Sequence, residues 1–316
     1  MKLVIPGGSG QIGTAVSRHF HNAGHQVVVL TRNPRPVPWR VVAWDGITRG
    51  DWFLEIDGAD AVLNLAGHTV NCRYHPANRR RILESRVEST RIVGEAIAAA
   101  RNPPPVWLQA ATATLYAHRY DAPNDDVTGI PGGQEPDLPD TWRFSLDVAR
   151  AWEQACLDAR TPHTRKVLLR SAMVMTPDVG GVFATLLRLV RFGLGGQVGD
   201  GRQFVSWIHE ADFLAALEFL MSHPELSGPI NLAAPGPLPY TDFMGALRRA
   251  WGMPIGLPAT RWMLEIGTFL LRTESELVLK SRRVVPRRLT DAGFQFQFPD
   301  WSAAATDLCQ SVRRRG

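Results

Sequence analysis

The sequence predicts an α/β protein: a doubly wound parallel sheet followed by a smaller, mostly helical lobe. Three observations carry this. Short apolar runs alternate with helical patterns through the first half of the chain. The first of those runs breaks directly into a glycine-rich turn and a helix start, Gly7-Gly8-Ser9-Gly10-Gln11-Ile12-Gly13. The second half drops the alternation for helical segments separated by glycine and proline. At 316 residues and 45% hydrophobic, the chain can fill a large core as one domain or two unequal ones. The expected division is 1–175, continued by parts of 203–235, and a lobe over 176–316.

The first strand is Lys2-Leu3-Val4-Ile5-Pro6, and its glycine turn has the strand before it and the helix after it that a dinucleotide-binding fingerprint requires. Gly7 permits the tight turn, Gly10 lets a pyrophosphate approach the backbone, and Gly13 lets the helix pack closely. Gln11 and Ile12 open a helix whose unpaired N–H groups and positive dipole end face those phosphates. The unit is thus of the Rossmann type. Gln26-Val27-Val28-Val29-Leu30 reads as the second parallel strand, and at its end, where NAD-binding units carry an acidic residue for the ribose, the chain reads Thr31-Arg32-Asn33-Pro34-Arg35. A guanidinium there suits a 2′-phosphate, so Arg32 predicts NADP(H) rather than NAD; a solvated loop arginine is the plain alternative.

The remaining elements follow in order. Arg40 to Trp44 and Ala61 to Ala66 are the third and fourth strands. An amphipathic helix runs from Pro76 to Ala100 and stops at Asn102-Pro103-Pro104-Pro105. Val106 to Ala111 is the fifth strand, and the Pro-, Gly- and Asp-rich segment from Asp121 to Asp140 is a long loop of the kind that caps a site. A helix from Thr141 to Ala159 and a strand from Lys166 to Arg170 complete the alternation. Beyond it, Gly193 to Arg202 is too glycine-dense for regular structure, and Gly193 to Gly201 is expected to border a substrate pocket. It is followed by Gln203 to Trp207, a helix from about His209, and further helices near Tyr240 to Trp251 and Pro258 to Leu271.

Composition excludes other classes. A formal net charge of +5 and the clusters Arg79-Arg80-Arg81, Arg282-Arg283, Arg287-Arg288 and Arg313-Arg314-Arg315 invite a nucleic-acid reading, but they are scattered and accompany no recognition motif. Solvated helix faces and a frayed basic tail account for most of them. The 3 cysteines, Cys72, Cys156 and Cys309, form no CxxC pair. His209, Glu210 and Asp212 open a helix, where acidic residues suit the dipole, and no further ligand accompanies them, so no metal is expected. No apolar run approaches a membrane span, and Met1 leads straight into the first strand; the expectation is a cytoplasmic protein, monomer or homodimer, with a small-molecule substrate.

Taken together, these residues resemble the extended short-chain dehydrogenase/reductase group, and in detail its atypical, epimerase-like subfamily with a characteristic C-terminal domain. The resemblance rests on Gly7 to Gly13, Thr31 to Pro34, Trp44-Asp45-Gly46, Asn64-Leu65-Ala66-Gly67, Ser85-Arg86, Trp152-Glu153, Leu169-Arg170-Ser171, Gly201-Arg202-Gln203, Trp207-Ile208-His209 and Val285 to Leu289. It implies a cofactor lying along the strand ends, with Thr31 and Arg32 at the adenosine phosphate. Leu65, Ala66 and Gly67 would line it beyond the fourth strand, Arg86 would reach in from the next helix, and Val174 would pass near the nicotinamide. Two positions depart from the family pattern: His68 stands where an acidic residue is usual, and Pro6 replaces a small polar residue.

Catalysis departs further. The group generally uses a Ser or Thr hydroxyl after the fifth strand and a Tyr four residues ahead of a Lys, which lowers the phenol's pKa. Thr112 matches the hydroxyl, but the Tyr and Lys positions fall on Phe144 and Val148. Tyr116 is the alternative proton donor, or else a phenol packed behind the site. Three readings follow: an NADP-dependent oxidoreductase with an unusual proton donor, a nucleotide-sugar epimerase or dehydratase, and an NADP(H) sensor without chemistry. The missing Tyr/Lys pair argues against ordinary sugar chemistry; the first reading is favoured, narrowly over the sensor.

Overall fold

A computed structural model describes residues 1–258 and 280–315. Seven parallel strands form the central sheet in the order β3-β2-β1-β4-β5-β6-β10. They are β1 (Lys2–Pro6), β2 (Gln26–Thr31), β3 (Arg40–Ala43), β4 (Ala61–Asn64), β5 (Val106–Thr112), β6 (Arg165–Ser171) and β10 (Gly228–Leu232). The crossovers carry α1 (Gln11–Asn22), a one-turn α2 (Phe53–Ile56), α3 (Pro76–Ala99), α4 (Asp140–Asp158) and, before β10, α6 (Glu210–Ser222).

Strand alternation explains why the sheet is wound on both faces. Leu3, Ile5, Val27, Val29, Leu63, Leu108 and Leu169 point to the face where α1 brings Val16 and Phe20, and α6 brings Phe213, Leu217 and Leu220. Val4, Val28, Leu30, Val62, Trp107 and Leu168 point to the other, where α3 supplies Ile92, Val93, Ala96 and Ile97. Strands buried on both faces need near-continuous apolar runs, which is why β1 and β2 are legible as strands at all.

The smaller lobe is built by β7 (Met173–Met175), α5 (Val182–Arg191), β8 (Phe204–Val205), β9 (Trp207–His209), β11 (Leu238–Pro239), α7 (Tyr240–Trp251), α8 (Arg287–Asp291) and α9 (Trp301–Arg315). Its core packs Phe183, Leu187 and Val190 of α5 against Phe243, Met244 and Leu247 of α7 and Trp301 and Leu308 of α9. The rings of Phe243 and Trp301 stack at 4.1 Å.

Several details differ from the sequence reading. Arg313 to Arg315 are not a frayed tail but the last turn of α9: Arg313 lies over Trp251 at 4.6 Å, and Arg315 pairs with Asp178. The long loop from Asp121 to Asp140 is stitched to the distal chain, with Asn124 N–H on the Arg283 carbonyl at 2.7 Å and Val285 N–H on that of Asn124 at 3.0 Å. The helix expected from Pro258 to Leu271 lies, but for its first residue, outside the described residues.

Candidate active site at the carboxyl ends of the strands

The strand order reverses between β1 and β4, and the glycine turn stands at that switch point. Gly7 has φ +75°, and a Cβ there would lie 2.6 Å from the Cα and N of Ala66, so the turn is pressed onto the exit of β4. A Cβ at Gly13 would sit 2.5 Å from Gly8, so this glycine brings the helix onto the turn itself rather than onto the sheet. Gly10 differs: the nearest atom to a Cβ would be the Gly7 carbonyl oxygen at 3.8 Å. Its side-chain position is open space over the start of α1, a helix with no side-chain cap and no acidic residue in its first turn. Such a helix end keeps its N–H groups and its positive dipole for an anion. Gln11 faces the other lobe, its Nε2 donating to Thr176 Oγ1 at 2.7 Å.

Thr31 is buried and holds the turn after β2 in place: its Oγ1 shares a 2.8 Å hydrogen bond with Ser9 Oγ and accepts the Asn33 N–H at 3.2 Å. Arg32 projects from that turn, exposed, with no hydrogen bond or ion pair among the described residues.

The exit of β4 is fixed by buried amides. Asn64 Oδ1 accepts the Ala66 N–H at 3.1 Å, its Nδ2 donates to Gln109 Oε1 at 3.0 Å, and the Leu65 N–H bonds the Pro6 carbonyl at 2.8 Å. Ile12, Leu65 and Val174 are partly buried and pack against the core cluster on one face of the sheet. Gly67 leaves room for Arg86: a Cβ would lie 3.2 Å from the guanidinium carbon. Arg86 donates to the carbonyls of His68 and Ile82, each at 3.0 Å, and lies over the Trp152 ring at 4.9 Å. Burial pulls its pKa down to about 10. His68 is tied to the same helix, its N–H on Ser85 Oγ at 2.8 Å. Burial, then the charges of Arg81, Arg32 and Arg86, hold its imidazole below the usual histidine pKa.

Thr112 ends β5, and its Oγ1 accepts the Thr114 N–H at 3.2 Å. Tyr116, one short turn later, is 3% exposed, with its hydroxyl donating to Asn231 Oδ1 at 2.9 Å and accepting from Arg170 Nη1 at 3.0 Å. Arg170 is itself clamped by both oxygens of Glu153 at 2.8 Å. Desolvation raises the Tyr116 pKa against the pull of Arg170. Phe144 and Val148 face α3, with Arg79 over the Phe144 ring at 5.0 Å and Val148 packed with Ile82 and Tyr74.

Two groups beyond the end of β5 escape a sequence reading. Lys280 is 2% exposed, and its Nζ donates to the Thr114 carbonyl at 2.7 Å. His118, which accepts the Ser281 N–H at 2.8 Å and packs on Trp142, is held below the usual histidine pKa by burial and then by Lys280. The chain separation of about 160 residues between these partners leaves no local signal. A cavity of about 590 Å³ lined by Met1, Val106 and Arg165 lies at the opposite, amino ends of the strands.

Comparison with known proteins agrees with this architecture. Residues 3–233 match the NAD dependent epimerase/dehydratase family, and residues 259–308 match a domain of unknown function, DUF1731. The bovine epimerase family protein SDR39U1 is 31% identical over 314 residues, covering 98% of this chain and 99% of its own. A Staphylococcus haemolyticus epimerase family protein, SH2119, is 28% identical over 97% of this chain and 98% of its own. The crystal structure of human SDR39U1 with NADPH superposes with a TM-score of 0.84 at 28% identity, covering 98% of this chain and 99% of that one. UDP-N-acetylglucosamine 4-epimerase from Bacillus cereus shares the fold, with a TM-score of 0.75 at 16% identity over 99% of both chains. No described helix is long and apolar enough to cross a membrane. With its glycine turn at the switch point and this match over most of its length, the chain belongs to the NAD dependent epimerase/dehydratase family.

Proposed function

We propose that this protein binds NADP(H) across the carboxyl ends of β1, β2 and β4 and acts as an oxidoreductase on a small molecule. The observation that carries the reading is the pairing of open space at Gly10 with an Arg32 after β2 that has no partner among the described residues. The residues fit the cofactor: the turn admits a pyrophosphate where a Cβ would stand, α1 supplies N–H donors, and Arg32 supplies a guanidinium for the 2′-phosphate. The NADPH complex of the human relative supports the same choice. Bound there, the cofactor would supply hydride chemistry.

Leu65, Ala66, Gly67 and Val174 then line the cofactor, with Arg86 fixing the loop beyond Gly67. Thr112 is the proton donor we favour, because its oxygen already accepts the Thr114 N–H and its own hydrogen remains for a substrate oxygen. Tyr116 is less suited, since both directions of its hydroxyl are spent on Asn231 and Arg170. A cytoplasmic enzyme fits this chemistry. The packing of Phe144 and Val148 where a Tyr/Lys pair is expected supports a second reading, an NADP(H) sensor without turnover.

The test is binding before turnover. The expected result is NADPH preferred over NADH, and a loss of roughly ten- to a hundredfold in NADPH affinity for Arg32→Ala, the equivalent of about 1.5 to 3 kcal/mol for a charge-assisted contact. Equal affinity of the parent protein for both cofactors overturns the reading. Tight NADPH binding with no oxidation across a carbonyl panel favours the sensor.

A further inference from the structure

Arg32 is not the only cation on this side of the site without a partner among the described residues. Arg81 on α3 is exposed and makes no hydrogen bond or ion pair among the described residues. It stands one helical turn before Ser85, whose hydroxyl holds the His68 N–H at 2.8 Å. Residues i and i+4 share a helix face, so Arg81 stands on the face of α3 to which His68 is fastened. Arg86 anchors the same loop through the His68 carbonyl at 3.0 Å. The charged groups acting on the half-buried His68 imidazole are therefore Arg32 from the turn after β2 and Arg81 and Arg86 from α3.

We propose that Arg81 and His68 complete, with Arg32, the receptor for the 2′-phosphate, so that NADPH is selected by three separate elements. The proposal rests on the NADP(H) reading above. Positive groups gathered without a counter-ion repel one another, and a doubly charged phosphate relieves that repulsion more than a ribose hydroxyl does. His68 adds what an arginine cannot. Burial and then its cationic neighbours disfavour its charged form in the free protein, and a phosphate beside the ring favours proton uptake, which makes it a donor at both ring nitrogens.

The experiment is fluorescence titration of NADPH and NADH against the parent, Arg32→Ala, Arg81→Ala and His68→Gln. It is paired with calorimetric titration at pH 7 in two buffers of different ionisation enthalpy, to count protons taken up. Arg81→Ala is expected to weaken NADPH roughly five- to twentyfold while leaving NADH within about twofold. His68→Gln is expected to reduce the proton uptake that accompanies NADPH. Unchanged NADH binding reports an intact fold. If Arg81→Ala weakens both cofactors equally, Arg81 serves the pyrophosphate or the general field, and the proposal fails. It fails too if only Arg32→Ala loses the NADPH preference and proton uptake is the same with and without His68, an outcome that leaves the cofactor reading standing. A parent protein that does not discriminate between the cofactors overturns that reading itself.

Discussion

Gly7 and Gly10 lie three residues apart in one turn, yet replacing each by alanine is expected to do opposite things. Gly10 has φ −73° and ψ 174°, a conformation any residue adopts, and its Cβ would meet nothing closer than 3.8 Å. Alanine there restricts the unfolded chain, a gain of about 0.4 to 1 kcal/mol, and is a poorer N-cap than glycine by a comparable amount. The expected net change in stability is within about 1 kcal/mol. Cofactor binding is another matter, because the new methyl group occupies the space through which a pyrophosphate reaches the α1 N–H groups; a loss of roughly a hundredfold or more, about 2.7 kcal/mol, is expected. Gly7→Ala reverses the balance: φ +75° costs a non-glycine residue about 1 to 2 kcal/mol, and the Ala66 backbone at 2.6 Å must also move. Its stability should fall by more than about 3 kcal/mol once the displaced strand exit is included. Urea unfolding and NADPH fluorescence titration on both variants decide it. A Gly10→Ala protein that binds NADPH like the parent, or that unfolds as early as Gly7→Ala, refutes the assignment of Gly10 to ligand space.

Further outcomes are expected elsewhere. Arg170→Ala strands the Glu153 carboxylate, whose side chain is only 10% exposed, and should cost about 3 to 5 kcal/mol in urea unfolding; a change under about 1 kcal/mol contradicts a structural ion pair. His209 accepts the Ala211 N–H at Nδ1 as the N-cap of α6, and burial holds its pKa below the ordinary 6.5. Its contribution is present above pH 6.5 and lost as the pH falls through its lowered folded value, so His209→Asn, which keeps a capping oxygen, should flatten the stability slope below pH 6.5 by up to about 1.4 kcal/mol per pH unit. An unaltered slope removes His209 as the titrating group. With a turned-over carbonyl substrate in hand, Thr112→Val should lower kcat/KM at least about tenfold, or 1.4 kcal/mol of barrier, and Tyr116→Phe should act mainly on stability; the reverse pattern exchanges their roles.

What was legible in the sequence was what is locally encoded. The β1 turn, the end of β2 and the exit of β4 each announce themselves within a dozen residues, because a glycine conformation, an apolar run and a charge at a fixed offset are local properties. β10 is hidden because Gly228 and Pro229 at its start read as a loop; the proline is tolerated because the strand is at the sheet edge, paired only with β6. The amphipathic helix α5 carries no capping side chain to separate it from the glycine-rich segments around it. Lys280 and His118 meet only because the chain returns from far downstream to lie beside Thr114, a contact with no periodic signature. Arg32 was legible by position, whereas Arg81 is one of three consecutive arginines, and only the hydrogen bond from His68 to Ser85 singles it out.

The substitution of Phe144 and Val148 for the expected Tyr and Lys has a structural consequence that bears on any attempt to reverse it. Along one face of α4, Phe144, Val148 and Trp152 recur every four residues, and α3 answers in step: Arg79 over Phe144, Ile82 beside Val148, Arg86 over Trp152. That stripe packs α3 against α4 and so holds Arg86, which holds the loop carrying His68. Val148→Lys would place an ammonium at a position 7% exposed, beside Ile82 and on the helix face that also meets Arg86. No carboxylate stands in that stripe to receive it. Its burial should cost several kcal/mol or drive the lysine neutral, so Phe144→Tyr combined with Val148→Lys is expected to lose stability and to weaken NADPH binding through the displaced loop, without gaining carbonyl reductase activity. Unfolding, NADPH titration and a carbonyl screen on the double variant test this together. A double variant as stable as the parent that reduces carbonyls faster would mean that the α4 face still opens onto the nicotinamide, and that its apolar stripe is a lost active site rather than a helix interface.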